Sequence, residues 1–236
     1  MRLANLGGLA VRITGGSDGS GGGDGPVVVL MHGFGAGSDD LVPLADVFAA
    51  PDGTRFAFPG APLALPGLWG AGRAWWMIDL ARFERVTRGD VAELADDVPE
   101  GLADAREQVV AMLDGLESLL GVSGERVVLG GFSQGAMLAC DVALRSRRPL
   151  GGLLLMSGVM LCRPEWLRLL PGRARLRVFQ SHGSQDPLLP FALATELKDA
   201  MTAAGLAVDW LEFVGGHEIP PQVVSGASAF LARALG

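Results

Sequence analysis

An α/β fold with a mainly parallel sheet is predicted by three features of this sequence. Short apolar runs end in small or turn residues, amphipathic helical patterns follow most of them, and "RVVLGG" (126–131) leads almost directly into "QGAMLACDVALRS" (134–146). The 236 residues, 49% of them apolar, suffice for one large core, so a single domain over 1–236 is expected. No internal repeat is visible, which argues against a solenoid.

Taken in order, "LAVRIT" (9–14) alternates like a strand and "VVVLM" (27–31) is an apolar run of a second. The glycine-rich stretch 15–25 between them carries no helical pattern, so it is expected to be a flexible loop joining an antiparallel hairpin at one sheet edge. A helix over "DDLVPLADVFAA" (39–50) and a strand over "TRFAF" (54–58) follow. Residues 59–98 hold Pro59, Pro62, Pro66 and the tryptophan-rich "LWGAGRAWW" without a clean period, and are expected to form a loop excursion; loops this long are commonly functional.

In "EGLADAREQVVAMLDGLESLL" (100–120), Leu102, Val109, Met112, Leu113, Leu116 and Leu120 share one helical face, and Gly121 closes the helix. Strands are expected over 126–131, 150–157, 175–181 and 207–214, and helices over 134–146, 190–204 and 222–235.

Composition excludes several function classes. The formal charge of −7 disfavours nucleic acid or an anionic membrane surface as the main partner. Cys140 and Cys162 have no ligand-like spacing, so buried free thiols are expected rather than a disulfide framework, and no metal or organic cofactor is called for. The start lacks the apolar stretch of a secretory signal, and the longest apolar run, 151–162, is too short to span a bilayer. A cytoplasmic protein without stable membrane insertion is the expectation.

The pattern GxSxG occurs twice, around Ser17 and around Ser133. A serine nucleophile must be lifted out of a sharp strand-to-helix turn, with the helix directing free N–H groups at the developing charge. Ser17 precedes glycines and no helix; Ser133 has a strand before it and a helix after it. A serine hydroxyl also needs a base and an orienting acid. Where the order along the chain is serine, acid, histidine, only His217, in "FVGGHEIPP", leaves room for an acid in between. His32 and His182 are expected to be hydrogen-bonded histidines shaping loops beside the site. Asp186, in "QSHGSQDPLLP", lies in a loop past a strand end, whereas Asp209 lies within a strand and Asp141 within a helix. The backbone N–H groups of Gln134 and Phe34, the latter in "HGFG", are the candidate oxyanion donors. A nucleotide-binding loop is disfavoured, since "GFGAG" fits neither GxGxxG nor a P-loop with lysine.

These residues resemble the phospholipase/carboxylesterase family of α/β-hydrolases, which includes acyl-protein thioesterases. The resemblance runs through "LMHGFGAGSDDLVPLA", "FPGAPLALPG", "GRAWWMIDL", "GGFSQGAMLA", "SHGSQDPLLP" and "GGHEIP", with "SQG" and "HGFGAGSDDL" more like its bacterial carboxylesterase branch. It implies an α/β-hydrolase fold with helices on both faces and no large cap domain, and a triad of Ser133, Asp186 and His217. By the same analogy the segment 65–80 and the stretch 157–166 line an acyl groove, with Leu68, Trp69, Trp75, Trp76, Met77, Met160, Leu161 and Trp166 as candidates and Leu188 beside them. Arg73 could meet an anionic group or form a surface salt bridge. The expected activity is that of a serine hydrolase cleaving short to medium acyl esters, with lysophospholipids or thioesters included, through an acyl-enzyme. The rivals are a peptidase or a dienelactone-type hydrolase, although the latter is expected to carry cysteine at position 133, and a non-catalytic α/β-hydrolase binding module. The oligomeric state is open, a homodimer being one option.

Overall fold

A computed structural model describes residues 1–65, 71–78 and 91–236, with the backbone alone for 91–93. Its main sheet contains β1 (Arg2–Leu6), β2 (Leu9–Gly16), β3 (Ser20–Gly22), β4 (Val27–Met31), β5 (Arg55–Pro59), β8 (Val127–Phe132), β9 (Gly152–Met156), β10 (Arg177–Gly183) and β11 (Ala207–Phe213). The spatial order is β1-β2-β5-β4-β8-β9-β10-β11, with β3 beside β2. From β5 to β11 every pairing is parallel; β1 and β2 join antiparallel at one end. A separate antiparallel ribbon joins β6 (Leu63–Ala64) to β7 (Arg73–Ala74).

The described helices are α1 (Leu44–Val47), α2 (Val91–Asp96), α3 (Leu102–Leu120), α4 (Gln134–Ser146), α5 (Arg163–Leu169), α6 (Phe191–Ala203) and α7 (Pro221–Leu235). They cover both faces because the strands are apolar on both. In β4, Val27, Val29 and Met31 pack into the core under α3 and α4, while Val28 and Leu30 join the core formed with Val223, Ala227 and Phe230 of α7. Period-two alternation thus sorts one continuous apolar run into two layers. All six apolar residues predicted for the inner face of α3 are buried, and Gly121 ends it at φ 61. Among the described residues, no helix is long and apolar enough to cross a membrane.

Two expectations are corrected at the amino-terminal end. β2 and β4 do not form a hairpin: β5 lies between them, antiparallel to β2 and parallel to β4, and the hairpin partner of β2 is β1. The glycine-rich residues 15–25 do not form a structureless link. They continue β2 to Gly16 and build β3, and Asp18 Oδ1 accepts the N–H groups of Ser20 and Gly22, each at 2.8 Å. Those backbone bonds, Gly22 first, lower its carboxyl pKa to about 2. Arg55, 1% exposed, donates to the carbonyls of Gly23 at 3.0 Å and Leu120 at 2.8 Å, and to that of Gly25.

The helix expected over 39–50 shrinks to α1. Pro43 lacks an N–H and its ring clashes with a preceding turn, so residues 38–43 make turns instead. Replacing Arg55 by methionine leaves three carbonyls without their donor. It should lower stability by about 2–3 kcal/mol, measured as a fall in the urea midpoint with an unchanged slope.

Candidate active site

The parallel strands β4, β8, β10 and β11 all end at the same edge of the sheet, where ligands bind in open α/β folds. At the end of β8 the chain turns sharply into α4. Ser133 sits at that turn with φ 55 and ψ −118, a conformation that costs a non-glycine residue on the order of 1–3 kcal/mol. Hydrogen bonds hold it there: Ser133 N–H donates to Met156 O at 2.9 Å, and its carbonyl accepts from Ala136 at 3.0 Å and Met137 at 3.1 Å.

Gly135 is required by close approach. A Cβ there would lie 2.1 Å from Met31 O and 2.7 Å from His32 O, so α4 starts directly against the end of β4. The same crowding, 2.4 Å from Met31 O, applies at Gly131. The loop after β4 is thereby brought beside the serine. Ser17, in contrast, is exposed in the turn between β2 and β3, its N–H donating to Gly22 O at 3.0 Å.

The loops after β10 and β11 meet at Gly183, where a Cβ would stand 2.3 Å from Gly216 O and 2.5 Å from Gly215 O. They are joined by Ser184 N–H to Phe213 O at 2.8 Å and Gln185 N–H to Gly215 O at 3.0 Å. This brings together residues 31 apart: His217 Nδ1 lies 2.6 Å from Asp186 Oδ2. Asp186 Oδ1 accepts from the backbone of Leu188 at 2.8 Å and Leu189 at 3.0 Å. Burial alone would raise the Asp186 pKa, but the His217 hydrogen bond and these two N–H groups outweigh it and hold the carboxyl below its ordinary value. An ionised carboxylate on Nδ1–H leaves Nε2 of His217 as the unprotonated nitrogen. The His217 ring packs on Phe132, centroids 4.7 Å apart.

The competing acids are engaged elsewhere. Asp141, fully buried, binds Arg106 at 2.8 Å, Arg145 at 2.7 Å and the Trp166 indole N–H at 2.9 Å. Asp209 pairs with Arg233 at 2.6 Å. His32, 1% exposed, places Nδ1 2.8 Å from Gly33 O and accepts from Ala61 N–H through Nε2 at 3.0 Å. Burial holds its pKa below 6.5, so it is neutral and ties the loop after β4 to residue 61.

Ser133 and His217 line one cleft of about 1010 Å³, together with Phe34 and Gln134. Its apolar wall includes Trp76, Met77, Leu94, Met137, Leu161 and Leu188; Asp97, Glu100 and Asp104 lie along another part. Of the residues expected to line a groove, Trp76, Met77, Leu161 and Leu188 do so, but Trp75 and Met160 do not. Trp75 is 1% exposed beneath the site, its indole N–H donating to His32 O at 3.0 Å. Met160 is fully buried, with its N–H donating to Leu193 O at 3.2 Å. Trp166 is likewise in the core, and Leu68 and Trp69 lie outside the described residues. Among the described residues Arg73 meets no anion: its guanidinium donates to the carbonyls of Ala61 and, at 2.8 Å, Pro62.

Sequence reasoning missed Leu94 and Met137 in the wall. Met137 lies one turn beyond Ser133 on α4, so its i+4 spacing was an available signal. It also missed the Gln134 side chain, which accepts from Trp75 N–H and donates to Trp76 O, both at 2.9 Å. That clamp fixes residues 75 and 76 over the elbow.

Gln134→Leu keeps the backbone N–H but unpairs both groups, and should cost about 1–3 kcal/mol in urea unfolding. A second expectation concerns pH. The imidazole of His32 is harder to protonate folded than unfolded, so its contribution is full above about pH 6.5 and is lost as the pH falls below that, with a slope of at most about 1.4 kcal/mol per pH unit. Urea unfolding at about pH 7.5 and 5.5 should show a smaller acid loss in His32→Gln than in the unmodified chain.

Comparison with known proteins adds to this geometry. The sequence matches the phospholipase/carboxylesterase family over residues 22–235. It is 28% identical over 178 residues to acyl-protein thioesterase 1 of Kluyveromyces lactis, covering 73% of this chain and 74% of that one. It is 25% identical over 219 residues to that of Mycosarcoma maydis, covering 87% and 90%. Against acyl-protein thioesterase 1 of Gibberella zeae, 29% identical over 119 residues, the match spans about half of each chain, 49% and 51%. The crystal structure of esterase PE8 superposes with a TM-score of 0.78 at 26% identity over 100% of both chains. The Bacillus cereus carboxylesterase shares the fold, with a TM-score of 0.71 at 20% identity over 96% of this chain and 94% of that one. With an elbow serine, an acid-oriented histidine and a match running from residue 22 to 235, the chain belongs to the phospholipase/carboxylesterase family of α/β-hydrolases.

Proposed function

We propose that this chain is a serine hydrolase that cleaves carboxylic esters, with thioesters or lysophospholipids in its range, through an acyl-enzyme. The observation that carries the reading is a strained Ser133 opening onto the same cleft as His217, whose other ring nitrogen is held 2.6 Å from Asp186. Ser133 Oγ attacks the acyl carbonyl while His217 Nε2 takes its proton. The imidazolium so formed is stabilised by Asp186 and returns the proton to the leaving alcohol or thiol. Water then enters, His217 removes its proton, and the second attack releases the acid and frees Ser133.

The tetrahedral oxyanion is received by the backbone N–H groups of Gln134 and Phe34. As the first residue of α4, Gln134 has no carbonyl one turn back to satisfy its N–H, and the helix dipole favours negative charge there. Met137, Leu161, Trp76 and Leu188 give the acyl chain an apolar wall, while a carboxylate or phosphate near Glu100 and Asp104 would meet like charge. The reading takes the chain to act as one domain, in the cytoplasm, on a small ester; the names of the thioesterase relatives support including thioesters. A peptidase or a binding module remains as the rival outcome of the test.

A fluorophosphonate probe should label the unmodified protein and Ser17→Ala equally, and label neither Ser133→Ala nor, at a comparable rate, His217→Ala. On p-nitrophenyl esters of increasing length, Ser133→Ala should lower kcat by about four orders of magnitude or more. Undiminished labelling of Ser133→Ala would refute the assignment, and absence of all labelling would favour the binding module.

A further inference from the structure

We infer that His182 is a positioning residue for Asp186, holding its Nε2–H edge 3.3 Å from the oxygen that holds His217; this rests on the triad proposed above. His182 is the penultimate residue of β10 and is fully buried. Its Nε2 lies 3.0 Å from Leu189 O and 3.3 Å from Asp186 Oδ2. A carbonyl oxygen only accepts, so Nε2 carries the proton and donates it to that carbonyl, with the carboxylate oxygen beside it. The Phe191 ring, 6.2 Å away, packs against the imidazole, and Nδ1 is buried.

The oxygen chosen by this contact matters. Oδ1 of Asp186 is taken by the two backbone N–H groups of Leu188 and Leu189, whereas Oδ2 accepts from His217 and faces His182. The second histidine therefore bears on the atom that orients the base. The positive end of its N–H dipole, close to Oδ2, weakens the grip of the carboxylate on an imidazolium at position 217. It also fixes the rotation of the carboxylate about its last bond.

A neutral His182 is required for this, and burial pushes its pKa below 6.5. The charged groups acting on it are Asp186 and His217. Elsewhere around it, Glu212, its register partner on β11, is exposed; on α6, Glu196 pairs with Arg163, and Lys198 with Asp199. β9 contributes no charged residue, its buried neighbour being Ser157.

The test compares two polar replacements. The amide nitrogen of His182→Gln reaches the place of Nε2 and keeps the donor; that of His182→Asn falls short, near the place of Nδ1. With a p-nitrophenyl ester as substrate, His182→Gln should keep the acidic limb of kcat/KM where it is and keep kcat within a few-fold. His182→Asn should move that limb upward by about half a pH unit and lower kcat about tenfold or more, with KM unchanged. A limb that stays in place in both variants, whatever their kcat, overturns the inference, because a merely structural histidine would lower activity without moving it.

Should either variant fail to fold, imidazole nitrogen NMR of the unmodified protein decides. The inference requires His182 to be the Nε2–H tautomer, with that resonance shifting in Asp186→Asn; an Nδ1–H tautomer, or no response, overturns it. Ser133→Ala in the same assay keeps the two readings apart. If it remains active, the triad reading fails; if it is inactive while Asn and Gln at 182 behave alike, only the role of His182 fails.

Discussion

The contact on which the rest of the site depends is between backbone and backbone, where the first turn of α4 presses on the end of β4. Met31 O would lie 2.1 Å from any Cβ at Gly135, and this leaves the loop at 33–35 nowhere to go but alongside Ser133. A larger residue at 135 would push the helix away from the strand, and the turn would relax. The positive φ of Ser133 is then less a property of the serine than of two elements docked more closely than side chains allow. The bonds from Ser133 to Met156, and from Ala136 and Met137 back to it, secure the turn to the neighbouring strand and helix.

Three histidines occur in this chain, and burial with hydrogen bonding gives each a distinct position. His32 is neutral because it is dry, and it spends both nitrogens on backbone, joining the loop after β4 to residue 61. His182 is dry as well, but its Nε2 meets the Leu189 carbonyl and stands 3.3 Å from Asp186 Oδ2. His217, whose side chain keeps 12% of its exposure, faces the cleft with one nitrogen and a carboxylate with the other. The gradient from interior to cleft runs through a single carboxylate. Asp186 stays ionised at full burial because it accepts from two backbone N–H groups and an imidazole, which replace the water it lost.

The wall of the cleft follows a different logic from the edge that carries Ser133 and His217. Trp75 and Trp76 are adjacent in sequence, yet only Trp76 lines the cleft. Gln134 holds the backbone of both, and the chain direction at that point sends one ring down onto His32 and the other toward the opening. Composition marks both as apolar and large, which is true of core and groove alike. Met160 and Leu161 divide the same way: one is buried at Leu193, the next reaches the cleft.

The sequence by itself determined the alternation of strands and helices, the face of α3 that is buried, and that Ser133 rather than Ser17 stands at a strand-to-helix turn, because these depend on local periodicity and on what immediately precedes and follows a residue. It also determined the chemistry available downstream, since only His217 leaves space for an acid after Ser133. Only the tertiary structure decided that β5 enters between β2 and β4, because strand pairing is a choice among non-local partners and no turn between β2 and β4 fixes it. Long-range hydrogen bonding likewise built the glycine-rich stretch 15–25 into β3 and an arginine clamp, where composition alone predicted a loose loop. The meeting of Asp186 with His217 and His182 was decided there too, since it needs two loops 31 residues apart to close over a position where no side chain fits.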